Sequence, residues 1–294
     1  MFKVILVGTN PIIWIDVIKN WNAGLIAFIS QKTLFKTRPV VGFIHALVAW
    51  GFTLYLLVNI IDVLYGFIPN FKFLPNSITG DIYRLFVDTF SILVLLGVFY
   101  FLARRFIIQE DGLNIKDPVL LSDRAKAGMK FDSFIVGAFI IVHIGSRFLS
   151  ASFEIAIHGT DWSQPAANIV AALWSTLSPN TLTIAEHVTW WLALGLILLF
   201  LPYFPYSKHA HLFMGPLNIM ASEKRRSMAA IETIDFEDEE LDQFGAAQIQ
   251  HLPQTQLLDG YACIQCSRCQ DACPAYETGK ELSPSALEIN KRYF

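Results

Sequence analysis

Apolar residues gather into four long runs, approximately Val40 to Phe67, Leu85 to Ala103, Phe131 to Ile157 and Leu182 to Phe204. Each supplies the roughly 20 mostly apolar residues that a helix needs to cross the hydrocarbon core of a bilayer, so the pattern predicts four transmembrane helices. The first 37 residues behave differently. They are apolar only in pieces, broken by Gly8, Asn10, Pro11, Asp16, Lys19, Asn20 and Asn22, with neither an uninterrupted apolar core nor a small-residue cleavage site. The later part of this segment reads as an amphipathic helix lying in the membrane interface rather than a fifth span or a signal peptide. There is no internal repeat and no low-complexity tract.

Composition agrees with this pattern. The chain is 54% hydrophobic and only 16% charged, with a mean hydropathy of +0.45, which is too apolar for an ordinary soluble domain. The cations are scattered or flank the spans, so no basic cluster suggests nucleic acid. Lysine and arginine placement sets the expected orientation. Lys32, Lys36 and Arg38 precede the first span, and Arg104, Arg105, Lys116, Arg124, Lys126 and Lys130 lie between the second and third. By contrast, 158–181 holds no lysine or arginine, and 66–81 holds only Lys72. Both termini are therefore expected in the cytoplasm of a multi-pass inner-membrane protein, with Lys208, Lys224, Arg225 and Arg226 following the last span. An acidic stretch, IETIDFEDEELDQFG at 231–245, reads as a solvated connector.

Every cysteine lies in YACIQCSRCQDACPAYETGK, where Cys263, Cys266, Cys269 and Cys273 are spaced C-x2-C-x2-C-x3-C and followed by Pro274. Four cysteines this close cannot form a spread disulfide framework, and they suit a reducing compartment. The spacing is that of bacterial ferredoxins, in which thiolates hold a 4Fe-4S cluster and the fourth cysteine of a run ligates the other cluster of a pair. Structural zinc is the rival, but it usually assembles two separated pairs. The chain has no further cysteine with which to complete a second cluster. A chain truncated or split after this motif is the expected explanation, ahead of completion by a partner subunit or closure of all four thiolates on one cluster.

Histidines within membrane spans are costly and point to haem ligation, proton relay, quinone contact or a helix–helix hydrogen bond. His45 lies near the cytoplasmic end of the first span, His143 in the middle of the third and His187 near the outer end of the fourth; His209 and His211 follow its cytoplasmic end. Arg147 lies one turn from His143 on the same helix face, where it suits a haem propionate or, together with His143, a quinone.

GLIAFISQKTLFKTRPVVGFIHALVAWGF, WWLALGLILLFLPYFPYSKHAHLFMGPLN and FGAAQIQHLPQTQLLDGYACIQCSRCQDACPAYETGKELSP together give the chain a resemblance that runs from about Asn22 onward. It resembles the membrane-bound iron-sulfur oxidoreductases related to heterodisulfide reductase, which fuse a cytochrome b domain similar to the nitrate reductase gamma subunit to a cytoplasmic ferredoxin domain. The resemblance implies electron transfer between a cytoplasmic donor, often electron-transfer flavoprotein, and the quinone pool, through 4Fe-4S clusters and b-type haem. It also implies that His45 and His211 ligate the haem nearer the cytoplasm, with His209 as the substitute. The family often has histidine where this chain has Ala193. His143 and Ala193 each lie about 18 Å from the cytoplasmic end of their spans, so the expected second ligand is His143 of the third span in place of one on the fourth, with His187 a poorly placed partner about 9 Å higher.

The expected architecture is an all-α membrane protein with an interfacial segment at 1–37, a four-helix cytochrome b-like domain at 38–215, a connector at 216–250 and a ferredoxin-type domain at 251–294. Its expected role is quinone-linked electron transfer with an electron-transfer flavoprotein or an iron-sulfur or flavin subunit as donor. A non-catalytic cytochrome b anchor of a larger complex is the first alternative. A membrane scaffold with a zinc-bound tail is an alternative of another class.

Overall fold

The computed structural model describes residues 1–75, 77–222, 235–237 and 245–293; most of the acidic connector, and the cations at 224–226, lie outside these. It is 75% helical, and no strand occurs among the described residues. In chain order the α-helices are α1 (Phe2–Ile5), α2 (Trp14–Lys19), α3 (Trp21–Ser30), α4 (Lys32–Thr37), α5 (Pro39–Phe67), α6 (Ile78–Leu102), α7 (Asp123–His158), α8 (Pro165–Ala171), α9 (Pro179–Tyr203), α10 (His211–Ala221), α11 (Gln254–Ala262), α12 (Arg268–Asp271), α13 (Pro274–Glu277) and α14 (Pro284–Tyr293). Four stretches are long and apolar enough to cross a membrane: Pro39–Phe67, Ile78–Ile107, Asp123–His158 and Pro179–Tyr206. They correspond to the four apolar runs, extended at their ends by polar turns. The second continues beyond α6 through a π-helical turn, Ala103–Ile107.

The helices divide into two compact units. One comprises Leu34–Gln109 and Ser133–Tyr203, the helical bundle. Helix α5 starts with Pro39 at its first turn, where a missing N–H costs nothing. Helix α6 starts at Ser77, whose hydroxyl accepts from the Gly80 amide. The two pack closely because Gly51 lies against Val94 and Phe90, and Gly97 lies against Val48 and Ile44, leaving no room for a Cβ. Helix α8 is held by Asp88 of α6, whose two carboxylate oxygens accept from the Ala166 and Ala167 amides at 2.7 and 2.9 Å. That contact places a negative charge on an otherwise unsatisfied helix N-terminus.

The other unit comprises Met1–Thr33, Glu110–Asp132 and Phe204–Phe294, three stretches far apart in sequence. Its core is formed by Ile5, Ala210, Met214, Leu257, Leu258 and Tyr261. The N-terminal segment threads through it. Thr9 exchanges backbone hydrogen bonds with Leu252 and Gln254 (2.9 and 2.8 Å), and Gly24 of α3 meets Met220 of α10. The 110–122 connection covers the cysteine-bearing helices, with Val119 packed on Tyr276 and Ala286. Gln270 Nε2 donates to the Asn114 carbonyl, and Asn290 Nδ2 to that of Leu120, at 3.1 and 3.0 Å.

Candidate functional site

Helix α11 is fixed by the burial of Leu257 and Leu258, so its C-terminal end delivers Cys263 in extended conformation at a set place. The chain then turns sharply. Gln265 and Ser267, the two neighbours of Cys266, both take left-handed backbone (φ 60° each), unusual for non-glycine residues. The Gln265 amide donates to Cys263 Sγ at 3.3 Å. Cys273 precedes α13, whose first position is Pro274.

The thiols divide three to one. Burial pushes the Cys263 thiol up to about 11, partly offset by the Gln265 amide, and the neighbouring Cys266 and Cys269 add to the rise. Burial also raises Cys269, followed by the effect of Cys266. Cys273 instead packs onto the Val119–Tyr276–Ala286 patch. Among the described residues, no three histidine, cysteine, aspartate or glutamate side chains converge as a ready-made metal site. A cubane does not ask for that convergence, because iron and sulfide stand between its ligand sulfurs. An all-thiol donor set with backbone amides aimed at sulfur has the chemistry that such a cluster needs.

Arg292 of α14 was not singled out by the sequence. It is 9% exposed, and its guanidinium donates to the Cys263 carbonyl at 3.2 Å and to the Tyr261 carbonyl at 3.5 Å. These bonds tie α14 to the backbone at the start of the cysteine run. Nothing in KRYF distinguishes this arginine from a solvated one.

The histidines do not form one group. His45 is half-buried on α5, with the Phe101 ring edge-on at 6.3 Å. His211 begins α10, where Nδ1 meets the Lys208 carbonyl at 2.9 Å; it belongs to the cysteine-bearing unit, whereas His45 belongs to the bundle. The His209 and His211 rings lie 6.4 Å apart. Burial, helped by the Lys208 charge, pushes His209 down to about 4, so it is neutral at physiological pH. His187 is exposed on α9, with Nδ1 near the Thr183 carbonyl (2.9 Å) and Glu186 (2.7 Å).

His143 is the most enclosed of them. It is 4% exposed, stacked on Phe139 and edge-on to Tyr55, and its Nδ1 lies 3.0 Å from the carbonyl of Ala193. Nε2 is buried without a hydrogen-bond partner. With Nδ1 donating to the carbonyl, Nε2 carries the lone pair, the arrangement typical of a metal-ligating histidine. His143 therefore meets Ala193, the position with which its depth along the helix was matched. Arg147 is also paired: its Nε donates to Asp62 of α5 at 2.7 Å. Asp62 was missed by sequence reasoning, although a lone acid in a 29-residue apolar helix was a readable signal.

Two curated proteins are similar to this chain. "Probable iron-sulfur-binding oxidoreductase FadF" of Bacillus subtilis (strain 168) is 34% identical over 266 residues, covering 90% of this chain and 35% of that protein. "EtfAB:quinone oxidoreductase" of Syntrophomonas wolfei is 26% identical over 276 residues, covering 92% of this chain and 36% of its own length. The chain thus spans about a third of the length of these relatives. No family model and no solved structure matches it. Over nine-tenths of its length, the chain is thus similar to one protein named as a probable iron-sulfur-binding oxidoreductase and to one named as a quinone oxidoreductase.

Proposed function

We propose that this protein carries electrons between a cytoplasmic redox protein and membrane quinone, through a 4Fe-4S cluster bound at the cysteine run and b-type haem in the membrane part. The observation that carries the reading is the cysteine turn itself. Three closely spaced thiols, with left-handed Gln265 and Ser267 on either side of the second and a backbone amide on the sulfur of the first, occur in a chain that also has four apolar spans. Cys263, Cys266 and Cys269 would hold one cluster and Cys273 would reach toward a second, in keeping with its separate packing. The cluster supplies one-electron chemistry, while the protein provides thiolates, amide donors and the Arg292 charge, which set its potential.

His45 of the bundle and, in the other unit, His211, with His209 as its substitute, are each proposed as a haem ligand. His143 is the residue best suited to ligate a second, because its Nε2 has no other partner. His187, exposed and bonded to Glu186 and Thr183, is a poor partner for it. The name of the Syntrophomonas relative supports electron-transfer flavoprotein as donor and quinone as acceptor.

The inner membrane is the proposed location, with both termini in the cytoplasm. In support, the N-terminal segment, the cation-rich 110–132 connection and the cysteine run all belong to one unit. Exposed Ile13, Trp14, Ile18, Trp21 and Ile26 of the N-terminal helices suit a lipid interface. The test is electron paramagnetic resonance of the dithionite-reduced protein in lipid. A reduced 4Fe-4S signal that disappears when a naphthoquinone is added is expected. A silent protein with bound zinc would overturn the reading in favour of a scaffold.

A further inference from the structure

The bundle contains a cavity of about 710 Å³ in the half that carries the 68–77 and 159–178 connections. This falls within the usual range for a small-molecule site. The Asp62–Arg147 pair is part of its wall, and the Arg147 side chain, inside an apolar bundle, retains 21% of its exposure there. Moving both charges out of water costs several kcal/mol per ion unless something polar uses them. The Tyr55 hydroxyl, 2.7 Å from that of Ser91, and Tyr83 line the same space.

The charges of the wall are mostly spoken for. Arg147 is paired with Asp62, Arg84 with Asp81 and Asp161, and Asp88 with the amides of α8. Lys72 also lines the cavity, against Glu154, which is exposed, and Glu186, which bonds exposed His187. Such a balance gives an anion little to bind. Much of the remaining wall is aromatic, with Tyr65, Phe73, Phe148, Trp190 and Trp191 beside aliphatic Ile61 and Val87. The combination suits a neutral, flat ring carrying hydrogen-bonding oxygens.

We propose that this cavity is the quinone site, with the quinone or quinol oxygens facing Arg147, Asp62 and Tyr83 and the ring against the Trp190 side of the wall. The inference rests on the quinone reading above and locates it. Conversion of quinone to quinol takes two electrons, supplied by the iron-sulfur and haem chain proposed above, and two protons. Glu154, Glu186 and His187 line the cavity and can deliver the protons from water.

The test uses the full chain in nanodiscs with a photoreactive azido-naphthoquinone, followed by peptide mapping. Saturable labelling should fall on the cavity-lining stretches at 55–91 and 147–191. It should weaken about tenfold, the loss expected for a hydrogen bond to a charged group, in the double variant Asp62→Asn/Arg147→Gln. Tyr83→Phe leaves the ion pair in place and should weaken labelling less. Unchanged helical circular dichroism and bound iron confirm that a variant is folded. Saturable labelling elsewhere on the chain, or cavity labelling that neither variant weakens, overturns this site and leaves the quinone reading standing. No saturable labelling anywhere overturns both.

Discussion

The two units solve the problem of polar groups in opposite ways. In the bundle, several deeply placed polar side chains are matched across helices: Asp62 with Arg147, Tyr55 with Ser91, Asp88 with the start of α8, and His143 Nδ1 with the Ala193 carbonyl. In a bilayer there is no water to take an unmet hydrogen bond, so pairing between helices is the available remedy. In the cysteine-bearing unit, long-range polar contacts run mainly from side chain to backbone: Asn20 to Met220, Gln270 to Asn114, Asn290 to Leu120 and Arg292 to Cys263. Short helices of four to eleven residues cannot hold their own shape, and these bonds tie irregular chain to irregular chain. The bundle is stabilised by pairs, and the cysteine unit by a web.

The largest expected effect therefore falls on the web. Cys266→Ser or Cys269→Ser should remove essentially all cluster iron and sulfide while sparing haem absorbance, because their thiolates are the proposed iron ligands. Iron and sulfide assays with a haem spectrum decide this, and retention of full iron and sulfide would contradict the assignment.

In the bundle, breaking one pair should strand a charge. Arg147→Ala should destabilise the bundle by about 3–5 kcal/mol, as expected for a buried ion pair that loses one partner, and Asp62→Asn/Arg147→Gln should recover part of that. Thermal unfolding in detergent, followed by helical circular dichroism, measures it. Equal losses in the single and double variants would show that the pair is not the stabilising element.

The N-terminal segment was expected to lie on the membrane. That gave no hint that it also threads through the cysteine unit, where a Cβ on Gly8 would stand 2.6 Å from the Leu252 carbonyl and 2.8 Å from Leu257. Gly8→Ala should therefore cost about 1–3 kcal/mol, as overpacking does. The loss should appear as earlier release of the 1–33 segment in limited proteolysis. An unchanged cleavage pattern would separate that segment from the unit.

The four spans were legible because twenty apolar residues in succession have few other uses, and the grouping of the cysteines because they lie within eleven residues of sequence. The assembly of the second unit was not, since 1–33, 110–132 and 204–294 meet through long-range contacts, such as Gln270 to Asn114 across 156 residues, that carry no local signature. Asp62 and Arg147 were each readable as costly charges, but their pairing across 85 residues was not. Arg292 looks like any surface cation until α14 folds it back onto Cys263.

The smallest expected effect concerns the 159–168 connection. Burial pulls the Asp161 carboxyl upward, but Ser163, Gln164 and the Arg84 charge outweigh it and hold the group below the usual range. Its stabilisation is thus present above the ordinary aspartate value of about 3.9 and lost as pH falls through the lower folded value. Hydrogen exchange at Ser163 and Asn168 should speed up over that acid range, and Asp161→Asn should show the faster exchange already at neutral pH. Exchange in that variant that matches the parent protein would remove Asp161 from the account.

The most direct test of the electron-transfer reading is one absorption spectrum of the purified protein, oxidised and then dithionite-reduced, with iron and sulfide counted on the same sample. The account predicts a broad iron-sulfur absorbance that bleaches on reduction, together with sharp b-type haem bands that are lost or become five-coordinate in His45→Ala. A colourless protein, free of iron and sulfide, would contradict it.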